Sequence, residues 1–217
     1  MKVFIGTPIR RFDHTEPHRD LLRWAWGMEE KHSVRWAMDT VYGVDAARSR
    51  LIKEARDWGA ELLVMVDSDV VPVVPWRDAF SVFSQAFSRG YAAVFSPTIS
   101  STNEIIAWAA PGKPAFRSPT DIPPGLSEVS WGGLGFLGID GDALSRLKVL
   151  KEQGSLQGAR FPLYCLYTPG EDGEDRSLCE NLRESTGRKI GVDTRLVTDH
   201  LKLSGRRSWQ GAGAVAV

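Results

Sequence analysis

The residues best placed to do chemistry in this chain are acids. The stretch Val64-Met-Val-Asp-Ser-Asp-Val-Val-Pro72 sets Asp67 and Asp69 two positions apart, directly after an apolar run. Side chains two positions apart on an extended chain point the same way, so both carboxylates can address one ligand. Carboxylates without a nearby basic partner suit a hard divalent cation such as Mg²⁺ or Mn²⁺, which in turn neutralises a diphosphate. The simpler alternative is that Asp-x-Asp closes a strand by side-chain to backbone hydrogen bonds. A second acidic stretch, Pro169-Gly-Glu-Asp-Gly-Glu-Asp-Arg-Ser-Leu-Cys179, repeats Gly-Glu-Asp. Glu174 and Asp175 head a segment that Leu178 and Leu182 make amphipathic, and a helix N-terminus favours a carboxylate. A carboxylate held in this way can act as a general base. All four acids can equally be cap and first-turn residues.

The remaining candidates are basic or aromatic. Arg48 and Arg50 lie on a predicted helix, where the plain reading is a solvated face; an arginine can also grip phosphate oxygens through both arms of its fork. His14 and His18 are four apart, but Pro17 breaks the helical geometry that a two-histidine zinc face requires, and both read as surface residues. His32 at a helix end reads as a charge complement to the helix dipole. The run Trp131-Gly-Gly-Leu-Gly-Phe-Leu-Gly138 lacks the spacing of a dinucleotide fingerprint. Its glycines can mark a bulge or close packing.

These residues need elements to hold them. Residues 2–6 form a short apolar run that ends in Thr7-Pro8, suggesting a first strand and a loop. Helical spacing runs over 18–31 and again over 45–58, the second closed by Gly59 as a C-cap. Residues 34–38 read as a second strand, and 61–66 run apolar without alternation, as in a parallel sheet covered on both faces. A helix over 75–89 stops at Gly90, and 91–95 is a further buried strand. This alternation predicts a doubly wound α/β half-sheet, whose ligands bind beyond the carboxyl ends of the strands. The second half is richer in Pro and Gly, with helices over about 141–153 and after the doubled Gly-Glu-Asp, and a strand over 189–192. The loop over 110–130 reads as mobile.

Bulk properties restrict the function classes. At 217 residues the chain fits one medium α/β domain, and 42% hydrophobic with 25% charged residues is ordinary for a globular protein. Lys plus Arg (27) balances Asp plus Glu (27), so no global field draws it to a polyanion. Two cysteines, Cys165 and Cys179, are too few for a disulfide framework. No apolar run approaches ~20 residues, and the N-terminus lacks the form of a signal peptide, so a cytoplasmic location is expected.

Taken in order, Ala47-Arg-Ser-Arg-Leu51, Gly59-Ala-Glu-Leu-Leu-Val-Met-Val-Asp-Ser-Asp69, Gly173-Glu-Asp-Arg-Ser-Leu-Cys179 and Val192-Asp-Thr…His200 resemble the nucleotide-sugar glycosyltransferases of the GT-A fold, similar to glycosyltransferase family 2 and its small phage and bacterial relatives. The likeness spans about 2–201. It implies a single GT-A, Rossmann-like α/β domain with a mostly parallel central sheet flanked by helices. A nucleotide-binding half would cover 1–96, an acceptor and catalytic half 97–201, and a basic tail 202–217.

The resemblance also implies roles. Asp69 would ligate Mn²⁺ or Mg²⁺ directly, with Asp67 on the ribose or reaching the metal through water, Ser68 between them and His200 completing the metal shell. Thr7 and Pro8 would begin the nucleobase pocket, Asp39 would accept from a base N–H, and Arg48 would face the nucleotide. Trp131 would offer a platform for a sugar, and Gly132 and Gly133 would let its ring lie against backbone. The family's Gly-Glu-Asp is followed by two variable residues, an apolar one and often Cys; the second copy fits, so Asp175 would be the base and Glu174 its support. The donor would be a UDP-, GDP- or dTDP-sugar. The acceptor would be a hydroxyl, on a glycan or on a modified DNA base such as small phage transferases glycosylate. Two other classes remain open: a nucleotidyltransferase of the sugar-nucleotide pyrophosphorylase kind, for which Thr7-Pro-Ile-Arg-Arg11 is a poor loop, and a non-catalytic sugar-nucleotide-binding module.

Overall fold

A computed structural model describes residues 1–9, 23–24, 26–39, 43–98, 107–110, 113–116, 121–154, 160–167, 173–202 and 205–208, with backbone alone at Trp108, Ala110, Gln153, Arg160 and from His200 onward. Apolar runs without alternation form the centre of a sheet. Strand β1 (Lys2–Pro8) lies between β2 (Ser33–Asp39) and β3 (Leu62–Val66), parallel to both. Every side chain of β3 is buried. Successive residues feed opposite faces, because strand side chains alternate. Val3, Ile5, Val64 and Val66 join one core cluster, while Phe4, Leu63 and Met65 join the other.

Helix α1 (Val44–Trp58) turns Ala47, Leu51, Ile52 and Ala55 onto the second of those faces. It ends where expected. Gly59 takes the left-handed conformation at φ 71°, and its N–H and that of Ala60 donate back to the Arg56 and Ala55 carbonyls at 2.9 Å each. After β3 come the short strand β4 (Val70–Pro72), helix α2 (Trp76–Ser88) and β5 (Tyr91–Phe95). Phe83 and Val82 of α2 pack on the opposite face from α1, so the sheet is covered on both sides.

The rest of the chain is β6 (Ala107–Ala110), β7 (Lys113–Pro114), β8 (Leu126–Val129), β9 (Trp131–Gly132), β10 (Phe136–Asp140), α3 (Gly141–Arg146), β11 (Lys151–Gly154), β12 (Arg160–Leu163), α4 (Gly173–Thr186), β13 (Lys189–Asp193), β14 (Thr198–Lys202) and β15 (Gly205–Ser208). The main sheet has the order β2-β1-β3-β10-β5-β13-β8. β10 runs antiparallel between β3 and β5, and β8 is antiparallel to β13; the other strands share one direction. Gly138 explains how β10 fits there. A Cβ at that position would stand 2.5 Å from the ring of Phe83, so only glycine lets α2 lie on the strand.

Three expectations are corrected. The helix over about 141–153 ends at Arg146. Leu147 leaves the helical region, the Arg56 guanidinium donates to the Ser145 and Leu147 carbonyls at 2.9 Å each, and 151–154 pairs with β12 instead. The loop over 110–130 contains β7 and β8, and β8 is an edge of the main sheet. The tail expected from 202 contributes β15, which pairs with β14; β14 in turn pairs with β4. The helix over 18–31 is described only in part, with helical turns at Arg23, Trp24 and Trp26.

Candidate functional site

The site lies at the carboxyl ends of β2, β1 and β3. β3 ends at Val66, and the Asp67 N–H donates to the Gly135 carbonyl at 2.9 Å, prolonging the ladder by one residue. The Val70 N–H then donates to the Asp67 carbonyl at 3.0 Å, closing Asp67 to Val70 as a tight turn. Within it Ser68 is buried, while Asp67 and Asp69 are half-buried. Val70 enters β4, where its register partner is His200 of β14. The backbone thus sets His200 beside the residue that follows Asp69.

Arg48 is the centre of the charge arrangement. α1 carries it inward, and 2% of its side chain is exposed. Its Nη2 lies 3.0 Å from Asp67 Oδ1 and 3.4 Å from Asp175 Oδ1, its Nε lies 3.8 Å from Glu174 Oε1, and its Nη1 donates to the Leu134 carbonyl at 3.4 Å. This corrects two expectations at once. Arg48 is not on a solvated helix face, and Asp67 is a carboxylate with a basic partner. Burial works against the guanidinium's charge, but Asp67, Asp175 and Glu174 together raise its pKa above the ordinary value.

Glu174 and Asp175 reach Arg48 because α4 starts at Gly173, whose φ is 75°. The second Gly-Glu-Asp therefore opens a helix; the first copy, at 170–172, lies outside the described residues. Glu174 is buried, and a quarter of the Asp175 side chain remains open. Burial pushes the Asp175 carboxyl up most strongly, Arg48 pulls it down, and Glu174 and Asp67 push it up again, leaving it at about 7.

Behind Arg48, the Ser49 hydroxyl accepts from the Tyr164 N–H at 3.0 Å and stands 3.6 Å from the Cys165 thiol. Cys165 and Cys179 are free and buried, and burial pushes each thiol up to about 12.

Thr7, Pro8 and Asp39 come together at the neighbouring strand ends, Pro8 in register with Asp39. All three are buried. The Trp36 indole donates to the Thr7 hydroxyl at 3.2 Å, and Asp39 Oδ2 pairs with Arg50 Nε at 2.9 Å. Arg50, half exposed, thus has a carboxylate partner in addition to water.

The glycine-rich run is placed differently from expectation. Trp131 is 4% exposed and belongs to the core cluster that includes Leu134 and Leu178, so its ring presents no platform to solvent. A Cβ on Gly133 would stand 3.0 Å from Thr98, whose hydroxyl donates to the Gly133 carbonyl at 3.1 Å; close packing therefore accounts for that glycine. Gly132 is buried in β9. His32 is no dipole complement. It stacks on Phe80 at 5.1 Å and meets Trp76 edge-on at 5.7 Å, and burial lowers its pKa. His14 and His18 lie outside the described residues. Sequence reasoning missed Leu134 and Thr98, and a backbone carbonyl leaves no trace in residue type.

Among the described side chains, no three of His, Cys, Asp and Glu converge as a metal cage. Carboxylate oxygens such as those of this turn are the donors a hard cation takes, although Asp67 already faces a guanidinium. Asp67, Glu174 and Asp175 surround a single guanidinium, and Asp69 adds a further carboxylate to the same turn. Among the described residues, no helix is long and apolar enough to cross a membrane.

No protein-family model matches the chain, and no curated protein sequence does. Solved structures do. A197 from STIV superposes over 93% of this chain and 86% of its own at a TM-score of 0.61 and 16% identity, a likeness that concerns the fold. UDP-glucose pyrophosphorylase (TM-score 0.43, 10% identity, 88% of this chain and 72% of its own) and a glycosyltransferase involved in glycosylation of the major capsid of PBCV-1 (0.34, 14%, 66% and 62%) overlap too loosely to argue from. The fold is of the α/β class expected from the sequence, with a central sheet of seven strands, mostly of one direction, and helices on both faces.

Proposed function

We propose that the chain is a glycosyltransferase that moves a sugar from a nucleoside-diphosphate sugar to a hydroxyl acceptor. The observation that supports this reading is the meeting of Asp67, from the strand end that faces a ligand in such sheets, with Glu174 and Asp175 from the first turn of α4, on one buried Arg48. A donor-side carboxylate and a candidate base are thereby held within one guanidinium's reach of each other.

In this reading Asp175 takes the proton of the acceptor hydroxyl as its oxygen bonds to the anomeric carbon and the bond from that carbon to the diphosphate breaks. A pKa near 7 suits that task, because a base works best when its pKa is close to the working pH. Glu174 keeps the first turn of α4 tied to Arg48. Single displacement of this kind inverts the anomeric configuration. Thr7, Pro8 and Asp39 line the start of a nucleobase pocket, and the turn Asp67-Ser68-Asp69 faces the ribose and diphosphate. Asp69 and His200, with Asp67 nearby, are the residues that would hold Mn²⁺ or Mg²⁺. When bound, such a cation neutralises the departing diphosphate. The donor classes are UDP-, GDP- and dTDP-sugars; the acceptor is a hydroxyl of a glycan or of a hydroxymethylated DNA base.

The test is release of nucleoside diphosphate from a panel of UDP-, GDP- and dTDP-sugars with Mn²⁺, with and without hydroxymethylated DNA and oligosaccharides. Metal-dependent release that Asp69→Ala abolishes supports transfer. Pyrophosphate-dependent formation of nucleoside triphosphate supports a nucleotidyltransferase instead. Tight binding without turnover supports a sugar-nucleotide-binding module.

A further inference from the structure

We propose that Arg48 is a positioning residue that couples the turn Asp67-Ser68-Asp69 to the first turn of α4, so that the two sides of the site are set by one side chain. The geometry points to this. The same nitrogen, Nη2, contacts Asp67 at 3.0 Å and Asp175 at 3.4 Å, while Nε reaches Glu174 at 3.8 Å and Nη1 binds the Leu134 carbonyl at 3.4 Å. Nη1 and Nη2 donate hydrogen bonds, to the Leu134 carbonyl and to Asp67 Oδ2, while Nε makes none and meets Glu174 by charge alone. Arg48 also sits deep in the molecule on a helix fixed by core residues on either side, Ala47 and Leu51. Its partners, in contrast, occupy a turn and a helix terminus, which are the parts of a fold with fewest constraints of their own. Displacing the guanidinium therefore loosens both partners together, Asp175 keeping its backbone hydrogen bond to Leu134.

Lysine cannot reproduce this. Its ammonium is a point charge that has no fork to span separate carboxylates. Arg48→Lys keeps a buried positive charge for the three acids and loses the span, which separates positioning from simple neutralisation.

Two readouts test the coupling. The first, hydrogen–deuterium exchange, is independent of any activity: in Arg48→Lys the amides of 67–70 and of 174–177 should both exchange faster, with the middle of α1 unchanged. Loss of protection on one side alone, or on neither, overturns the coupling. The second rests on the transfer reading above: kcat should fall on the order of 10²-fold, as for a misplacement of about 1 Å, while KM for the donor stays within about threefold. An unchanged kcat, or a loss confined to KM, overturns the positioning role in catalysis. If wild type turns over no sugar nucleotide, the transfer reading fails while the exchange experiment still decides the coupling. Should Arg48→Lys not fold, Asp67→Asn takes its place, and the coupling then requires faster exchange at 174–177, on the far side of Arg48.

Discussion

Arg48 Nη2 lies 3.4 Å from Asp175 Oδ1, yet the Asp175 carboxyl is pushed up from its ordinary value to about 7. An adjacent cation ordinarily holds a carboxyl low. Here one guanidinium is shared among Asp67, Glu174 and Asp175, and burial of the Asp175 carboxyl outweighs the pull of Arg48 upon it.

For transfer, the expected profile of kcat/KM rises with pH through about 7 as Asp175 loses its proton. Asp175→Asn should lower turnover by roughly 10²–10⁴-fold, the usual contribution of a positioned base, with UDP or GDP binding by calorimetry retained. A variant as active as wild type removes Asp175 from the mechanism.

Stability should move the opposite way. The folded-state pKa of about 7 exceeds the ordinary 3.8, so the folded protein binds more protons than the unfolded chain between those values. Asp175 therefore favours folding least above pH 7, and stability drains as pH rises through that window. Asp175→Asn mimics the protonated acid. Urea midpoints should show little difference from wild type at pH 4 and a more stable variant at pH 8.

The two thiols supply a check on burial. With both pushed up to about 12, neither Cys165 nor Cys179 offers appreciable thiolate at pH 8, and neither is at the surface. Native protein should react with Ellman's reagent only at the rate of unfolding, and guanidinium chloride should release both thiols. Prompt labelling of the native state would contradict the placement of Cys165 beside Ser49.

Gly138→Ala should destabilise the fold by about 1–3 kcal/mol, the cost of overpacking, because the added methyl meets the buried Phe83 ring. Phe83→Leu in the same chain should restore part of the loss, as measured by denaturant midpoints. Additive losses would mean that Phe83 is not the obstacle.

Some of this was legible in the sequence. α1 announced itself through Ala47, Leu51, Ile52, Ala55 and the Gly59 stop, all local signals. Asp67 and Asp175 stand out by position, directly after an apolar run and at a helix start, although strand closure and capping also put acids there. The partner of both did not stand out. An arginine on an amphipathic helix looks alike whether it faces water or three carboxylates, and the difference lies in contacts between residues far apart in the chain. The reversed direction of β10 was invisible for a similar reason, since Phe136–Asp140 is as uniformly buried as a parallel strand. His32 misled because helix position suggested a charge, whereas Trp76 and Phe80 come from a later helix. Residues 151–154 carry helix-favouring Lys, Glu and Gln, and pairing with β12 overrides that propensity.

The turn Asp67-Ser68-Asp69 joins two sheets: β3 enters it from the large one, and β4 leaves it for a small one completed by β14 and β15. During synthesis, β3 and α1 emerge early, whereas β14 emerges after every strand of the large sheet. A ribosome-bound chain can thus assemble much of its core with the far side of this turn unpaired, and the turn gains its second sheet last.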